Sequence, residues 1–473
     1  MANRMKFKRG MCRLLAAAAI LSALAPAQLR VEAATELSQS DYDNLVSFYT
    51  VSKDAIKYQD YLASHDQHRP ETEVRVDGAD FVRYEQQETA AIPEYLENYQ
   101  GMAGASVLTT EDSLIEYEFT VEQEGLYDLS LLYYPVEGKN SAIQRSIFLD
   151  GSLPYEELSL VEFQRIWTVD TVESYVNADG ITVRSWEKDN QGNDLKPGCV
   201  EAPEWTETYL YDSEGYVTTQ LSLYFTQGTH TVTLVGLREP LLIRELCLSN
   251  RVSAAPYSEV KAAWDAAGAR DTSGHVVRIE AENATKTSSQ MLYAKQDQSS
   301  PAVYPSSAKE LLNNTIGGDS WRLNGQWIEW DFEVPEDGYY NIALVDKQNF
   351  VKGIYVSRRI TIDGAAPFAQ MLNYGFAYSS NWRKDILSDD QGDAYRFYLE
   401  EGRHTIRMEV VLGEFAGIIS DVQDCVTQLN SIYRSVIRIT GVAPDQYRDY
   451  EIERNLPELE NQLIAVRQEL DGA

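Results

Sequence analysis

The chain contains two copies of one apolar and polar pattern, and this internal repeat constrains the fold more than any other feature. Residues 115–131 read IEYEFTVEQEGLYDLSL, and residues 328–344 read IEWDFEVPEDGYYNIAL. At an offset of 213 residues Gly125 matches Gly338, and a tyrosine follows two residues later in each copy. Three further segments repeat in the same order, namely 74–80 with 277–283, 145–155 with 358–368, and 223–234 with 397–408. Chance does not keep four segments in order, so the sequence predicts a duplicated domain.

Within each copy the apolar residues alternate with polar ones, which is typical of half-buried antiparallel strands. Asp150-Gly151 and Asp363-Gly364 are hairpin-turn dipeptides at equivalent positions. The offset falls to 174 residues between Tyr155 and Leu223, so the first copy carries an insertion of 39 residues. The sequence therefore predicts a mostly β fold of two tandem, jelly-roll-like antiparallel β-sandwiches.

Helical patterns occur before, between and after these strands. They cover residues 41–49, 53–65 and 256–269, and residues 416–433, where Ile419, Val422, Val426, Leu429 and Tyr433 share one helical face. We expect this last helix to interrupt the second copy before a final strand, VIRITG, at residues 436–441. Leu459, Leu463, Val466 and Leu470 indicate another helix near the C-terminus.

The first residues are predicted to be a signal peptide rather than part of a domain. Arg4, Lys6, Lys8, Arg9 and Arg13 precede the apolar run LLAAAAILSALA, and small residues at Val31 and Ala33 suit cleavage after Ala33. We expect a secreted or cell-surface protein. The predicted organisation is a signal peptide (1–33), a helical segment (34–70), a divergent sandwich with an insertion (71–252), a helical linker (253–275), a sandwich with an inserted helix (276–443) and a truncated helical segment (444–473).

Charge and hydropathy exclude several classes of partner. The formal net charge is −32, and the leader contributes six basic residues but only one acidic residue, so cleavage makes the chain more acidic. Such a chain repels nucleic acid and anionic lipid, whereas neutral ligands, cations and basic proteins remain open. No later run approaches the roughly 20 apolar residues of a transmembrane helix. Cys199, Cys247 and Cys425 follow the leader, and nothing in the sequence supports a Cys199–Cys247 bridge over free thiols.

The residues of the second copy resemble carbohydrate-binding modules of families six and thirty-five. The resemblance rests on IEAEN at residues 279–283, on the IEW-x-F-x-V-x-x-x-G-Y-Y strand, on the R-x-x-x-I-D-G turn and on the G-x-H-T-I strand. The phrases YYPVEGKNSAIQR, REPLLIR and TGVAPDQYRDY resemble the N-terminal half of large Gram-positive extracellular solute-binding proteins of ABC sugar importers. The substrate-binding domain of that group has no counterpart before Ala473, which leaves a transport role in question.

This resemblance implies a sugar site in the loops. Such modules stack a sugar ring on an aromatic side chain while nearby polar groups bind its hydroxyls. Trp382 occupies the segment of the stacking tryptophan, Asn381 lies beside it, and Trp167 is the expected counterpart in the first copy. Trp321, in a Gly- and Asn-rich segment, is a second candidate. The alternative is that Trp382 and Trp167 close the open end of each sandwich.

The resemblance also implies a structural calcium ion held by Glu280 and Glu282. These residues alternate along a predicted strand and so face the same side. A third acidic ligand is not evident, and the first copy has Asp77 and Ala79 instead. The alternative is that the two glutamates are solvated residues at a strand edge.

No catalytic constellation is evident, because His230 and His404 are equivalent in the repeat and favour a packing role. The leading interpretation is a non-catalytic protein that binds oligosaccharide or polysaccharide, with membrane transporter components as further partners. A docking protein that contacts a protein partner through its helical ends is the first alternative. An accessory fragment of a polysaccharide-degrading enzyme is the second.

Overall fold

The computed structural model describes residues 55–86, 93–170, 173–176, 182–250 and 253–472. The predicted signal peptide and the helical pattern at 41–49 lie outside these residues. The described chain forms two compact units. Unit 1 comprises the described residues of Met1–Gln164, Pro203–Leu210 and Leu221–Asn250, and unit 2 those of Arg165–Ala202, Tyr211–Gln220 and Arg251–Ala473.

Unit 1 contains two antiparallel sheets. The seven-stranded sheet consists of β1 (Val74–Asp77), β3 (Tyr95–Glu97), β4 (Ala105–Thr109), β6 (Gly125–Pro135), β13 (Thr206–Tyr209), β14 (Ser222–Phe225) and β16 (Leu241–Ser249). The five-stranded sheet consists of β2 (Arg83–Gln86), β5 (Ser113–Val121), β7 (Ile143–Leu149), β8 (Val161–Phe163) and β15 (Gly228–Arg238).

Aromatic side chains join the two sheets of unit 1. The Tyr133 ring on β6 packs against Phe163 on β8, with ring centres 5.4 Å apart. The fully buried Tyr117 on β5 donates its hydroxyl to the Gly78 carbonyl at 3.0 Å, just after β1. The apolar residues of the period-two pattern therefore face inward between the sheets, as the pattern predicts.

Unit 2 contains a seven-stranded antiparallel sheet and several two-stranded ones. The large sheet consists of β9 (Trp167–Val169), β12 (Cys199–Glu201), β17 (Lys286–Thr287), β20 (Trp327–Val334), β23 (Tyr355–Ile362), β24 (Tyr374–Ala377) and β27 (Gly402–Val411). The small sheets pair β10 (Ser174–Val176) with β11 (Thr182–Arg184), β18 (Ala294–Gln296) with β19 (Asn313–Ile316), β21 (Gly338–Tyr340) with β26 (Phe397–Leu399), and β22 (Ala343–Asp346) with β25 (Arg383–Ile386).

The core of unit 2 lies between the large sheet and the small ones. Ile328, Ile360 and Met408 come from the large sheet, and Phe397 and Leu399 come from β26.

The remaining elements are helices α1 (Tyr58–Ala63), α2 (Tyr257–Ala266), α3 (Ala416–Thr440), α4 (Ile452–Asn455) and α5 (Leu459–Gly472), and 3-10 helices at Tyr99–Gly101, Glu156–Ser159, Ala281–Asn283, Gly318–Ser320, Ala369–Leu372 and Gly413–Phe415. The predicted mostly β, antiparallel fold with helical segments is confirmed.

Gly125 and Gly338, which are equivalent in the repeat, share one backbone conformation. Gly125 and Gly338 each begin a strand with a φ of 154°. A Cβ atom would lie 2.6 Å from the Pro70 side chain at Gly125 and 2.8 Å from the Arg270 carbonyl oxygen at Gly338. Glycine is needed in both copies because the preceding segment passes directly over the strand.

The same hydrogen bonds hold the Asp-Gly turn in both copies. The His230 ring hydrogen-bonds the Asp150 carboxylate at 2.7 Å, and His404 hydrogen-bonds Asp363 at 2.6 Å. The other carboxylate oxygen of each aspartate accepts the next backbone N–H of β15 or β27 at 2.8 Å. Each histidine therefore holds a turn on its neighbouring strand.

Helices α1 and α2 correspond to each other and belong to the repeat. The Tyr58 ring packs against Tyr155 at 4.9 Å, and Tyr257 packs against the equivalent Phe368 at 4.8 Å. The Tyr58 hydroxyl accepts the N–H of Ser222, and the Tyr257 hydroxyl accepts that of Arg396, both at 3.0 Å. The segment predicted as a helical linker is thus the first element of the second copy, since its helix packs on the sandwich that follows.

Most of the segment that carries the insertion of the first copy belongs to unit 2, namely Arg165–Ala202 and Tyr211–Gln220. Within unit 2, β9 pairs with β17 and so lengthens the large sheet, and β12 pairs with β9. This segment also contains the turn DNQGN at residues 189–193, which is repeated in the second copy as DDQGD at residues 389–393. The repeat of this turn was not recognised in the sequence. In both, the glycine N–H bonds the first aspartate carbonyl, at 3.1 Å from Gly192 and 3.0 Å from Gly392.

The predicted strand at residues 436–441 is wrong. Helix α3 runs without a break from Ala416 to Thr440, and no strand follows β27 in the described part of the chain. The helix therefore follows the second sandwich instead of interrupting it. The β-branched residues Val436, Ile437 and Ile439 favour strands, but strand propensity depends on a neighbouring strand to pair with.

Cys199, Cys247 and Cys425 are all free thiols. Among the helices described here, none combines the length and the apolar character needed to cross a membrane.

Candidate functional site

Trp382 lies at the end of the loop between β24 and β25, and its ring is partly exposed. Its indole N–H donates to the Asp297 carboxylate at 3.2 Å, and the Lys347 ammonium lies 5.6 Å from the ring centre. Lys347 also forms an ion pair with Asp297 at 3.5 Å. These contacts fix the orientation of the ring, while the adjacent Asn381 is exposed.

Asp297 is held as a charged acceptor beside the Trp382 ring. Burial opposes ionisation, but hydrogen bonds from Ser299 and Trp382 and the charge of Lys347 lower the pKa of this carboxyl. An ionised carboxylate accepts hydrogen bonds from hydroxyl groups, and an aromatic face contacts C–H groups. This combination suits a polyhydroxylated ring.

Phe350 is a candidate residue that sequence reasoning missed. Its side chain is 65% exposed in the loop between β22 and β23. The buried Gln348 shapes this loop, because its side-chain oxygen accepts the N–H groups of Phe350 and Val351 at 2.9 and 3.1 Å. The Gln348 carbonyl accepts the N–H of Ser379 at 2.7 Å, which ties the loop to the one that carries Trp382. A lone phenylalanine in a polar loop was the only signal in the sequence.

We call Trp382, Asn381, Asp297, Lys347 and Phe350 the Trp382 platform.

Trp321 is partly buried and packs on the core of unit 2. The Arg358 guanidinium stacks over its ring at 4.3 Å, and the ring N–H donates to the Gln326 carbonyl at 3.1 Å. Burial lowers the pKa of Arg358 to about 10. Since the guanidinium covers one ring face, Trp321 offers little surface for a sugar.

Trp167 differs from Trp382 in its environment. The side chain is buried on β9, only 6% exposed, and lines a cavity of about 10 Å³ together with Glu282 and Cys199. That volume corresponds to about one water molecule, so a sugar ring does not fit there. Trp167 thus lies on the large sheet of unit 2, buried, rather than in a loop at the open end of the first sandwich.

Glu280 and Glu282 do not lie on a strand, contrary to the sequence prediction. Glu280 precedes the 3-10 helix Ala281–Asn283, and Glu282 lies within it. Both carboxyl groups are buried rather than solvated at an edge. Glu280 pairs with Arg278 at 2.8 Å, and burial raises the pKa of Glu282 to about 8.

These two carboxyl groups fit a cation only in part. Calcium takes six to eight oxygen ligands. No group of three or more acidic, histidine or cysteine side chains is arranged for a metal among the described residues. The glutamates would supply only two side-chain ligands, and a bound cation would offset the burial of the Glu282 charge.

The C-terminal helices match a known family. Residues 417–473 match the model of the bacterial solute-binding protein, 4-helix bundle domain. This match covers α3, α4 and α5 and begins directly after the second sandwich. A comparison with curated proteins gave no match.

Several solved structures are similar at low identity. A family 35 carbohydrate-binding module from Clostridium thermocellum is 13% identical, covers 38% of this chain and 99% of its own, and has a TM-score of 0.22. The C-terminal family 6 module of a laminarinase from Zobellia galactanivorans is 9% identical, covers 38% and 100%, and has a TM-score of 0.21. A family 6 module of Cellvibrio mixtus lichenase 5A, in complex with cellotriose, is 8% identical, covers 38% and 97%, and has a TM-score of 0.19. At these scores the likeness carries no argument about the ligand of this chain.

Proposed function

We propose that this chain is a secreted, non-catalytic carbohydrate-binding protein that gathers oligosaccharide at the cell surface for an ABC sugar importer. The Trp382 platform is the observation that carries the proposal, because it holds a partly exposed indole beside an ionised carboxylate. The loop that carries the exposed Phe350 is hydrogen-bonded to the loop that carries Trp382. The match of residues 417–473 to a solute-binding protein domain supports the link to an importer.

The platform has the chemistry of a sugar site without that of a catalyst. The Trp382 ring stacks on one face of a sugar, Asp297 and Asn381 bind hydroxyl groups, and Phe350 contacts a neighbouring ring of a longer chain. Hydrogen bonds from Ser299 and Trp382, together with the charge of Lys347, keep Asp297 ionised, and the hydrogen bond to Asp297 orients the indole. Binding then depends on the shape of the glycan and little on its charge.

A glycan array followed by calorimetry tests this proposal. We expect the chain from Ala34 onward to bind at least one oligosaccharide, and Trp382→Ala to weaken binding by about 1–3 kcal/mol while the melting temperature changes little. Phe350→Ala should weaken only the longer ligands of a chain-length series. Tyr447→Ala, which removes an exposed aromatic ring outside the platform, is the matched control.

Two results would contradict the proposal. Failure of the unmutated protein to bind any glycan would favour the docking protein, which the exposed apolar face of α3 also supports. Preserved binding with lost stability in Trp382→Ala would mean that this ring only packs in the protein, since removing a buried tryptophan costs about 3–5 kcal/mol.

A structural calcium ion at Glu280 and Glu282 is a second part of the proposal. The support is the burial of both carboxyl groups and the raised pKa of Glu282, because a buried carboxylate needs a compensating charge. Calcium would supply that charge and tie the 3-10 helix Ala281–Asn283 to the sandwich.

A further inference from the structure

Helix α2 and the second sandwich line an open cavity of about 280 Å³. Its lining includes two aromatic side chains, Trp264 of α2 and Tyr398 of β26, and two carboxyl groups, Asp363 and Glu400. Both rings are partly exposed, and their centres lie 6.4 Å apart. We call this space the Trp264 cavity. Its volume is close to that of the smaller ligand pockets of proteins, so a small molecule fits.

Tyr339, the third ring of this aromatic cluster, already has cations of the protein over its face. Trp264 and Tyr398 each pack against Tyr339 with ring centres 6.3 Å apart. The Arg396 guanidinium lies 4.2 Å from the centre of the Tyr339 ring, and the Lys261 ammonium lies 5.7 Å from it. Within the described part of the chain, no cation lies over Trp264 or Tyr398. The two rings that line the cavity can therefore accept a cation from outside.

The two carboxyl groups at the cavity differ in their partners. Asp363 pairs with His404 at 2.6 Å and accepts the N–H of Thr405 at 2.8 Å. The Glu400 side chain is exposed, and it forms no ion pair with any residue that the structure describes. Because Asp363 matches the charge of a protonated His404, Glu400 gives the cavity a negative charge without a paired cation.

The first copy lacks both of these features at the equivalent positions. His65 stands in place of Trp264, counted from the equivalent tyrosines of α1 and α2, and Thr226 stands in place of Glu400. The His65 ring packs on Tyr224 with ring centres 4.7 Å apart, closer than the 6.4 Å between the equivalent rings of the second copy. The second copy thus has a larger aromatic face and an added carboxylate at the same cavity.

This pair of differences favours a cation over a neutral sugar. An aromatic face attracts an ammonium group, and a nearby carboxylate strengthens that attraction. A neutral sugar also stacks on an aromatic ring, but it does not require the charge of Glu400. The net charge of −32 raises the local concentration of cations around the chain as well.

We propose that the Trp264 cavity binds a small organic cation, either a protonated amine or a quaternary ammonium compound. The cation lies against the faces of Trp264 and Tyr398, and Glu400 supplies the opposite charge. The inference uses none of the residues of the Trp382 platform, so it does not depend on sugar binding there.

Calorimetric titration of the chain from Ala34 onward with choline, and separately with butane-1,4-diamine, tests this inference. We expect at least one of the two to bind with a dissociation constant of about 1 mM or lower. Glu400→Gln should raise this constant at least about fivefold, and Trp264→Leu should raise it at least about tenfold. Glu401→Gln removes the same charge from the next, exposed residue and is the matched control, with an expected change of less than about twofold.

Melting curves separate loss of the site from loss of the fold. Trp264 packs on the core of unit 2, so Trp264→Leu is informative only if it melts as the wild type does, whereas the exposed Glu400 carries the test in either case. Failure of both amines to bind would overturn the inference, and so would binding that Glu400→Gln leaves unchanged. Binding of glucose that requires Trp264 but not the charge of Glu400 would assign the cavity to a neutral sugar and would overturn it as well.

Discussion

At the scale of single residues, His404 links a turn to a strand through both of its ring nitrogens. One nitrogen contacts the Glu400 carbonyl at 2.7 Å and the other contacts the Asp363 carboxylate at 2.6 Å. Burial disfavours the charged ring, but these two hydrogen bonds outweigh it and raise the pKa of His404. The protonated form therefore stabilises the second copy.

This pKa shift predicts how stability depends on pH. Because the folded pKa lies above the unfolded value of about 6.5, the stabilisation is complete below that pH and is lost as the pH rises through the folded pKa. His404→Gln should make the melting temperature less dependent on pH in this range, and Asp363→Asn should have the same effect. Melting curves across this range check it, and an unaltered slope in both variants would contradict it.

At the scale of elements, the helices that precede the two sandwiches pack in equivalent ways, although their sequences differ. Helices α1 and α2 share no obvious motif, yet each packs a tyrosine ring on the aromatic residue that precedes the equivalent 3-10 helix of its own sandwich. The two tyrosines differ in burial, since Tyr58 is 3% exposed and Tyr257 is half-buried. The two copies thus provide the same hydrogen bond in two environments.

This difference predicts unequal costs for one substitution. Tyr58→Phe should destabilise unit 1 by about 1–3 kcal/mol, because it leaves the Ser222 N–H unpaired in a buried place. Tyr257→Phe removes the same bond to Arg396 in a more exposed place and should cost about 0.5–1.5 kcal/mol in unit 2. Chemical denaturation measures both values, and equal costs or a reversed order would contradict the argument from burial.

At the scale of the whole molecule, both candidate metal ligands lie in unit 2. Glu280 and Glu282 lie there, whereas the equivalent Asp77 and Ala79 of the first copy lie in unit 1. The Asp77 carboxylate forms an ion pair with Arg244. Arg244 thus balances Asp77 in the first copy as Arg278 balances Glu280 in the second, and Glu282 is the carboxyl group that the first copy replaces with Ala79.

Removal of calcium should consequently affect one unit only. If calcium binds at 100 times its dissociation constant, it contributes about 2.7 kcal/mol, so a chelator should lower the unfolding transition of unit 2 and leave that of unit 1 in place. Glu282→Ala should abolish the response, and Asp77→Asn in the first copy should preserve it. Differential scanning calorimetry resolves the two transitions. A chelator without effect on the wild-type protein would leave the glutamates as a buried pair without a metal.

The sequence by itself determined the duplication and the strand pattern, because alternating apolar residues and tight turns are visible within a few neighbouring residues. Trp382 was expected in a sugar site only through the family resemblance. The tertiary structure decided which tryptophan faces solvent: Trp382 is partly exposed, while Trp167 is buried on an added strand. It also decided that residues 436–440 are helical, since no neighbouring strand pairs with them. Phe350 joined the candidate site only through Gln348 and Ser379, which are 31 residues apart in sequence and hydrogen-bonded in space. Exposure and long-range pairing depend on the complete fold, so local sequence patterns cannot encode them.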